Sequence, residues 1–162
     1  MATPPLSDAL FAAAPLAVRG PADLMAAARA APADRPLVVA APDGTAEALG
    51  PGWPRALAET FSDAWGRTHP DHAPPPVVLV WDCGPAVGFA LAALADWPAP
   101  PGWTLVLAVD ADVPREAVTA LAARAGAAGV TVRTTPAGHT GPDYSGRTGC
   151  GPTGSVPSTS PK

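Results

Sequence analysis

Acidic side chains at predicted turns are the residues of this chain best placed to do chemistry. Each of them closely follows an apolar segment with the character of a buried strand. If those strands are parallel, their carboxyl ends meet at one edge of a sheet, where open α/β folds place ligands. Carboxylate oxygens converging there could hold Mg²⁺. The residues are Asp43, Asp82, Asp110 and Asp112.

The same side chains have a simpler explanation. Aspartate is common in turns and at helix N-termini, where its carboxylate accepts backbone hydrogen bonds. The acidic pattern resembles the pocket of response-regulator receiver domains and haloacid-dehalogenase-type phosphatases, but both need a lysine near a late strand. The only lysine of the chain is Lys162, and Arg133 is a poor substitute because its guanidinium is a delocalised fork. The turn-stabilising role is therefore favoured.

Cys83 lies between Asp82 and Gly84, at the end of the segment 77–81. A thiol next to a helix N-terminus would have a lowered pKa and could act as a nucleophile. The Cys-x5-Arg pattern of the tyrosine phosphatases would require arginine at position 89, where the chain has Phe89. A buried cysteine that acts as a small apolar side chain is therefore favoured.

The glycines after this strand could also let a phosphate approach the backbone. Gly84 and Gly88 flank the start of a predicted helix, where free N–H groups attract anions. Their spacing matches neither the dinucleotide-binding fingerprint nor the phosphate-binding P-loop, and Pro85 removes one donor. A proline at the helix start and close packing of the helix account for these residues without a ligand.

A second turn of interest contains Gly52 and Trp53, before the predicted helix 54–67. A tryptophan there could form the wall of a pocket or anchor a partner. It could equally pack the helix against the sheet. The sequence does not favour one role over the other.

The elements that must position these residues alternate between strand and helix. Single helices between strands indicate right-handed crossovers and a mainly parallel sheet. We therefore predict one α/β domain over residues 15–134, a three-layer α/β/α (Rossmann-like) fold with about five strands. The predicted strands are 16–19, 36–41, 77–81, 104–109 and 130–133, and the predicted helices are one beginning near 20 and those at 54–67, 85–96 and 114–125.

The last part of the chain, 135–162, has a different composition. It is rich in Gly, Pro, Ser and Thr, with few apolar residues. Such a segment cannot bury enough surface to offset the entropy of ordering it. We predict a disordered C-terminal tail.

Composition excludes several classes of protein. The chain has 162 residues, 48% of them hydrophobic, and a net charge of -4. Scattered arginines in an acidic chain argue against a nucleic-acid binder, and no apolar run is long enough to span a membrane. The N-terminus makes a poor signal peptide, so a cytoplasmic protein with reduced Cys83 and Cys150 is predicted. No cysteine or histidine spacing indicates zinc, and no cofactor can be assigned.

Two short motifs carry a resemblance. The turn LGPGW at 49–53 and the segment DCGPAVGFALAAL at 82–94 resemble those of a group of small bacterial α/β proteins. The similarity covers roughly residues 15–134. It implies a shared fold, but no reaction, because no activity is known for that group.

These observations favour a non-catalytic module that binds a small ligand or a protein partner. One alternative is an enzyme acting on a phosphorylated small molecule, dependent on Mg²⁺ or on Cys83. Another is a structural subunit whose exposed tryptophans mark an interface. The predicted binding residues are Asp43, Gly52, Trp53, Asp82, Cys83, Gly84 and Asp110.

Overall fold

The strands and helices of the domain alternate along the chain. The computed structural model describes residues 15–32, 35–42, 45–97 and 100–135. The strands are β1 (Leu16–Ala17), β2 (Leu37–Ala40), β3 (Val77–Asp82), β4 (Trp103–Asp110) and β5 (Thr131–Thr135). The helices are α1 (Pro21–Ala30), α2 (Thr45–Leu49), α3 (Trp53–Thr68), α4 (Val87–Asp96) and α5 (Arg115–Ala127).

The five strands form one sheet in the order β1-β2-β3-β4-β5, and all four neighbouring pairs are parallel. The predicted α/β class and five-stranded parallel sheet are therefore confirmed. The short helix α2 lies in a segment for which the sequence predicts a loop. Residues 136–162 of the predicted tail lie outside the described residues.

The strand order differs from that of a Rossmann fold. In a doubly wound sheet the strand order reverses near the middle, so that helices cover both faces. Here each strand lies next to the one before it, and right-handed crossovers in a constant direction put every helix on the same face. The described helices therefore form one layer, which packs on one face of the sheet, and the third layer and the Rossmann-like arrangement stay predictions.

We call the helix-covered side of the sheet the first face. Its strand side chains come from alternate positions and are in register, as with Val39, Leu79 and Leu105 across β2, β3 and β4. They form one apolar cluster with side chains of all five helices, including Phe61 of α3 and Leu121 of α5. This cluster is the core that holds the carboxyl edge of the sheet in place.

The intervening strand positions form the second face. Most of them are apolar, as expected for a parallel sheet whose strands are enclosed on both sides. None of them belongs to the cluster that the helices form. The apolar residues of the second face are Val38, Ala40, Val78, Val80, Val106 and Ala108, and the register also places Thr104, Thr131 and Arg133 on it.

The helices of the described ranges are short or only partly apolar. None of them has both the length and the hydropathy needed to cross a membrane. A cytoplasmic location remains a prediction.

Candidate functional site

A tight turn connects β3 to α4 at the carboxyl edge of the sheet. The backbone N–H of Gly84 donates a hydrogen bond to Asp82 Oδ1 at 2.9 Å. Gly84 has a φ of 50°, a left-handed conformation that glycine adopts without steric cost. Its carbonyl accepts a hydrogen bond from the backbone N–H of Asp110 at 3.0 Å. The turn thus joins the ends of β3 and β4.

This turn brings two of the predicted site residues together. Asp82 is in register with Ala108, and Asp110 lies two residues further along β4, so both carboxylates follow the alternation of the second face. A β-carbon added to Gly84 would lie 3.9 Å from Asp110 Oδ2. Asp82, Gly84 and Asp110 therefore form one cluster at the carboxyl edge.

The charges of this cluster repel one another. Burial raises the pKa of Asp110, and the nearby carboxylates of Asp112 and Asp82 raise it further. In the described part of the chain no cation forms an ion pair with any of the three; the ion pair found there joins Arg55 to Glu59. Three carboxylates thus lie near one another at this edge, and no ion pair between described residues includes any of them.

The same carboxylates do not make a metal site by themselves. Within the described ranges, no group of three or more His, Cys, Asp or Glu side chains could hold a metal ion. One Asp82 oxygen is already bonded to the turn, which is the turn-stabilising role favoured by the sequence. Asp43, the third acidic residue of the predicted site, lies outside the described residues.

Cys83 points away from this cluster, into the first face. Its side chain is 4% exposed and packs in the core. Burial, with a smaller effect from the Asp82 charge, raises the pKa of the Cys83 thiol to about 12. The prediction that a helix N-terminus lowers this pKa is wrong, since α4 begins only at Val87. The alternative of a buried apolar cysteine is confirmed.

Trp53 packs α3 against the sheet. Its ring stacks on that of Trp81, with centroids 5.2 Å apart and an angle of 22° between the ring planes. Trp81 is fully buried on the first face. Of the two roles considered for Trp53, the structure shows the packing role.

Gly52 lies in a different environment again. A β-carbon there would be 3.5 Å from Asp96 Oδ2, at the end of α4. Close by, Arg55 donates a hydrogen bond to the Asp96 carbonyl at 3.4 Å. The sequence does not predict this link between α3 and α4, because nothing in the spacing of residues 41 positions apart indicates it.

The described residues of the predicted site therefore separate into three environments. Asp82, Gly84 and Asp110 form the edge cluster, to which the structure adds Asp112. Trp53 and Cys83 belong to the helix-covered core. Gly52 faces the end of α4.

Comparison with protein-family models, with curated protein sequences and with solved structures gave no match. The resemblance of segments 49–53 and 82–94 to small bacterial α/β proteins therefore stays a prediction. Any functional assignment has to come from the chemistry of the edge itself.

Proposed function

We propose that the protein is a non-catalytic binding module and that its binding surface is the acidic cluster at the carboxyl edge of the sheet. The cluster consists of Asp82, Gly84, Asp110 and Asp112. The matching group on a small ligand or protein partner would be a cation, such as an ammonium, a guanidinium or a metal ion that keeps its own water ligands.

The observation that supports this proposal is the group of neighbouring carboxylates around Asp110, which form no ion pair with any described residue. Burial and repulsion from Asp112 and Asp82 raise the pKa of Asp110. Ionisation of Asp110 therefore lowers the free energy of unfolding. A bound cation would remove that cost and would gain electrostatic energy in the bound state.

The form of the enzyme alternative that depends on Cys83 has little support from this thiol. A thiol of pKa about 12 is ionised in about one molecule in 10⁵ at pH 7. Its side chain is also enclosed by the core. The Mg²⁺-dependent form would need Asp43 or another ligand from outside the described residues.

The assembly alternative has no support from the tryptophans. Trp65, Trp81 and Trp97 are buried, and Trp53 and Trp103 are half-buried. None of the five is exposed, whereas this alternative relied on exposed tryptophans. This alternative remains without a specific observation in its favour.

Thermal denaturation at low ionic strength tests the proposal. The probes are Mg²⁺, Ca²⁺, spermidine and a short oligoarginine peptide, with glutamate and a neutral peptide as negative controls. A probe at one hundred times its dissociation constant stabilises the native state by about 2.7 kcal/mol, which corresponds to a shift of several degrees. We expect a saturating rise in melting temperature with at least one cationic probe.

A pair of matched double variants makes the result specific. Asp82→Asn with Asp110→Asn removes two charges, while the amide oxygen at position 82 can still accept the bond from Gly84. Asp63→Asn with Asp71→Asn removes two exposed charges on α3 and in the loop after it. Loss of the shift in the first variant alone supports the proposal, and an equal response in both variants would contradict it.

A further inference from the structure

The centre of the second face is closed off from solvent. Val106 is 0% exposed, Ala108 2% and Val78 3%. Yet these side chains are not part of the cluster to which the described helices contribute. Alternation along the strands also directs them away from the first face, where the described helices pack, so those helices do not enclose them.

Neighbouring strands alone do not produce such burial. The strands of a sheet lie about 4.8 Å apart, and their side chains shield one another from the sides only. A valine on an open face keeps part of its outer surface in water. Complete burial of Val106 requires apolar atoms above the sheet, as parallel sheets generally have on both faces.

We propose that the second face is the docking site of the chain's own N-terminal segment, residues 1–14. This segment has the composition for the role: MATPPLSDALFAAA contains Leu6, Leu10 and Phe11 together with several alanines, and one charged side chain, Asp8. Leu6 and Leu10 are four residues apart, so they would share one side of a helix.

The other long segment outside the described residues, 136–162, is a poorer match. Its larger apolar side chains are Tyr144 and Val156, twelve residues apart among Gly, Pro, Ser and Thr. The remaining gaps are two residues each and are too short to cover three strands. The N-terminal segment is therefore the occupant that fits.

The segment 1–14 is also long enough to reach from β1 to β4. Residue 15 leads directly into β1, at the edge of the sheet, and β4 is three strands away. Three strand spacings amount to about 14 Å. Fourteen residues span about 21 Å as a helix and more if extended. The segment can thus cross the second face as far as Val106.

Photo-crosslinking in the full-length protein tests this placement. The photoreactive analogue benzoylphenylalanine replaces Phe11 in one variant and Thr3 in a control, and cross-linked peptides are identified by mass spectrometry. We expect the probe at position 11 to cross-link, within the same chain, to peptides containing β3 or β4, at a yield at least several times that of the control. Cross-links to 136–162, cross-links between two chains, or a yield no higher than the control would each overturn the proposal.

Deletion variants give a second, independent readout. Removal of residues 2–14 should expose the second face, so that the protein binds the dye ANS and melts at a lower temperature or self-associates. Removal of 136–162 serves as the matched control and should change neither property. If the tail deletion has the larger effect, or if the N-terminal deletion leaves dye binding and melting unchanged, the N-terminal segment is not the cover.

Discussion

At the scale of single residues, the position of a side chain relative to the sheet decides its chemistry. Asp82 and Cys83 are neighbours in sequence, but alternation along β3 places them on opposite faces. The carboxylate lies at the acidic edge, and the thiol lies in the core. The first belongs to the proposed binding surface, and the second is the buried cysteine that the sequence favours.

Asp110 should make stability depend on pH in the acidic range. Its folded-state pKa is raised above 3.8, so the native state holds the proton more tightly than the unfolded state does. Stability from this group is therefore present at low pH and is lost as pH rises through the folded-state pKa. Asp110→Asn should remove that loss. Its melting temperature relative to wild type should increase as pH rises from the acidic range towards neutrality, measured by circular dichroism.

The control for this experiment is Asp71→Asn, which removes an exposed charge from the loop after α3. It should show no comparable increase across the same pH range. A melting-temperature difference for Asp110→Asn that stays constant with pH, or that falls as pH rises, would contradict the assignment.

Cys83 should be unreactive while the protein is folded. With its pKa raised from 9.0 to about 12, the thiolate fraction near neutral pH falls about a thousandfold. In a Cys150→Ser background, labelling by iodoacetamide should be slower than for a free thiol by at least that factor, and burial adds to the effect. Unfolding in urea should restore the normal rate, and rapid labelling of the native protein would show that the thiol is accessible.

At the scale of elements, the turn at Gly84 joins β3 to β4 and holds the acidic cluster together. Gly84→Ala should destabilise the protein by about 1 to 2 kcal/mol, because a side chain at positive φ is strained. A β-carbon added to Gly88, in the first turn of α4, would have open space around it. Gly88→Ala should therefore stabilise the protein by about 0.5 to 1 kcal/mol through the helix preference of alanine.

Urea denaturation of the two alanine variants measures both effects with the same substitution. The expected result is opposite signs for positions four residues apart. If both variants are destabilised equally, the conformation of the Gly84 turn does not account for its effect.

The strands and most helices could be predicted from local pattern. Five consecutive apolar residues in 77–81 indicate a buried strand, and Leu57, Phe61 and Trp65 mark one side of α3. Proline positions indicate where α1 and α3 begin. These patterns involve residues close together in the sequence. A single sequence is therefore enough to predict the strands and helices from them.

The candidate site could be predicted only in part. The convergence of Asp82 and Asp110 follows from parallel strands, whose carboxyl ends share an edge. The burial of Cys83 and the stacking of Trp53 on Trp81 depend on which face the helices cover. That choice depends on strand order, which the local pattern of a βα repeat does not specify.

At the scale of the whole molecule, the sequential strand order underlies both proposals. It leaves the described helices on the first face and the acidic cluster at the edge of the second face. The second face is therefore the one that no described helix covers, and its carboxyl edge is where the carboxylates form no ion pair with a described residue.

Cation binding at the acidic cluster can be followed directly by a ¹H–¹⁵N NMR titration of the full-length protein with spermidine at low ionic strength. We expect saturable shifts of the amide signals of Gly84, Asp110 and Ala111, and their loss in the Asp82→Asn, Asp110→Asn double variant. Shifts spread evenly over exposed carboxylates such as Asp63 and Asp71, or shifts that persist in the double variant, would show that the cluster is not a binding surface.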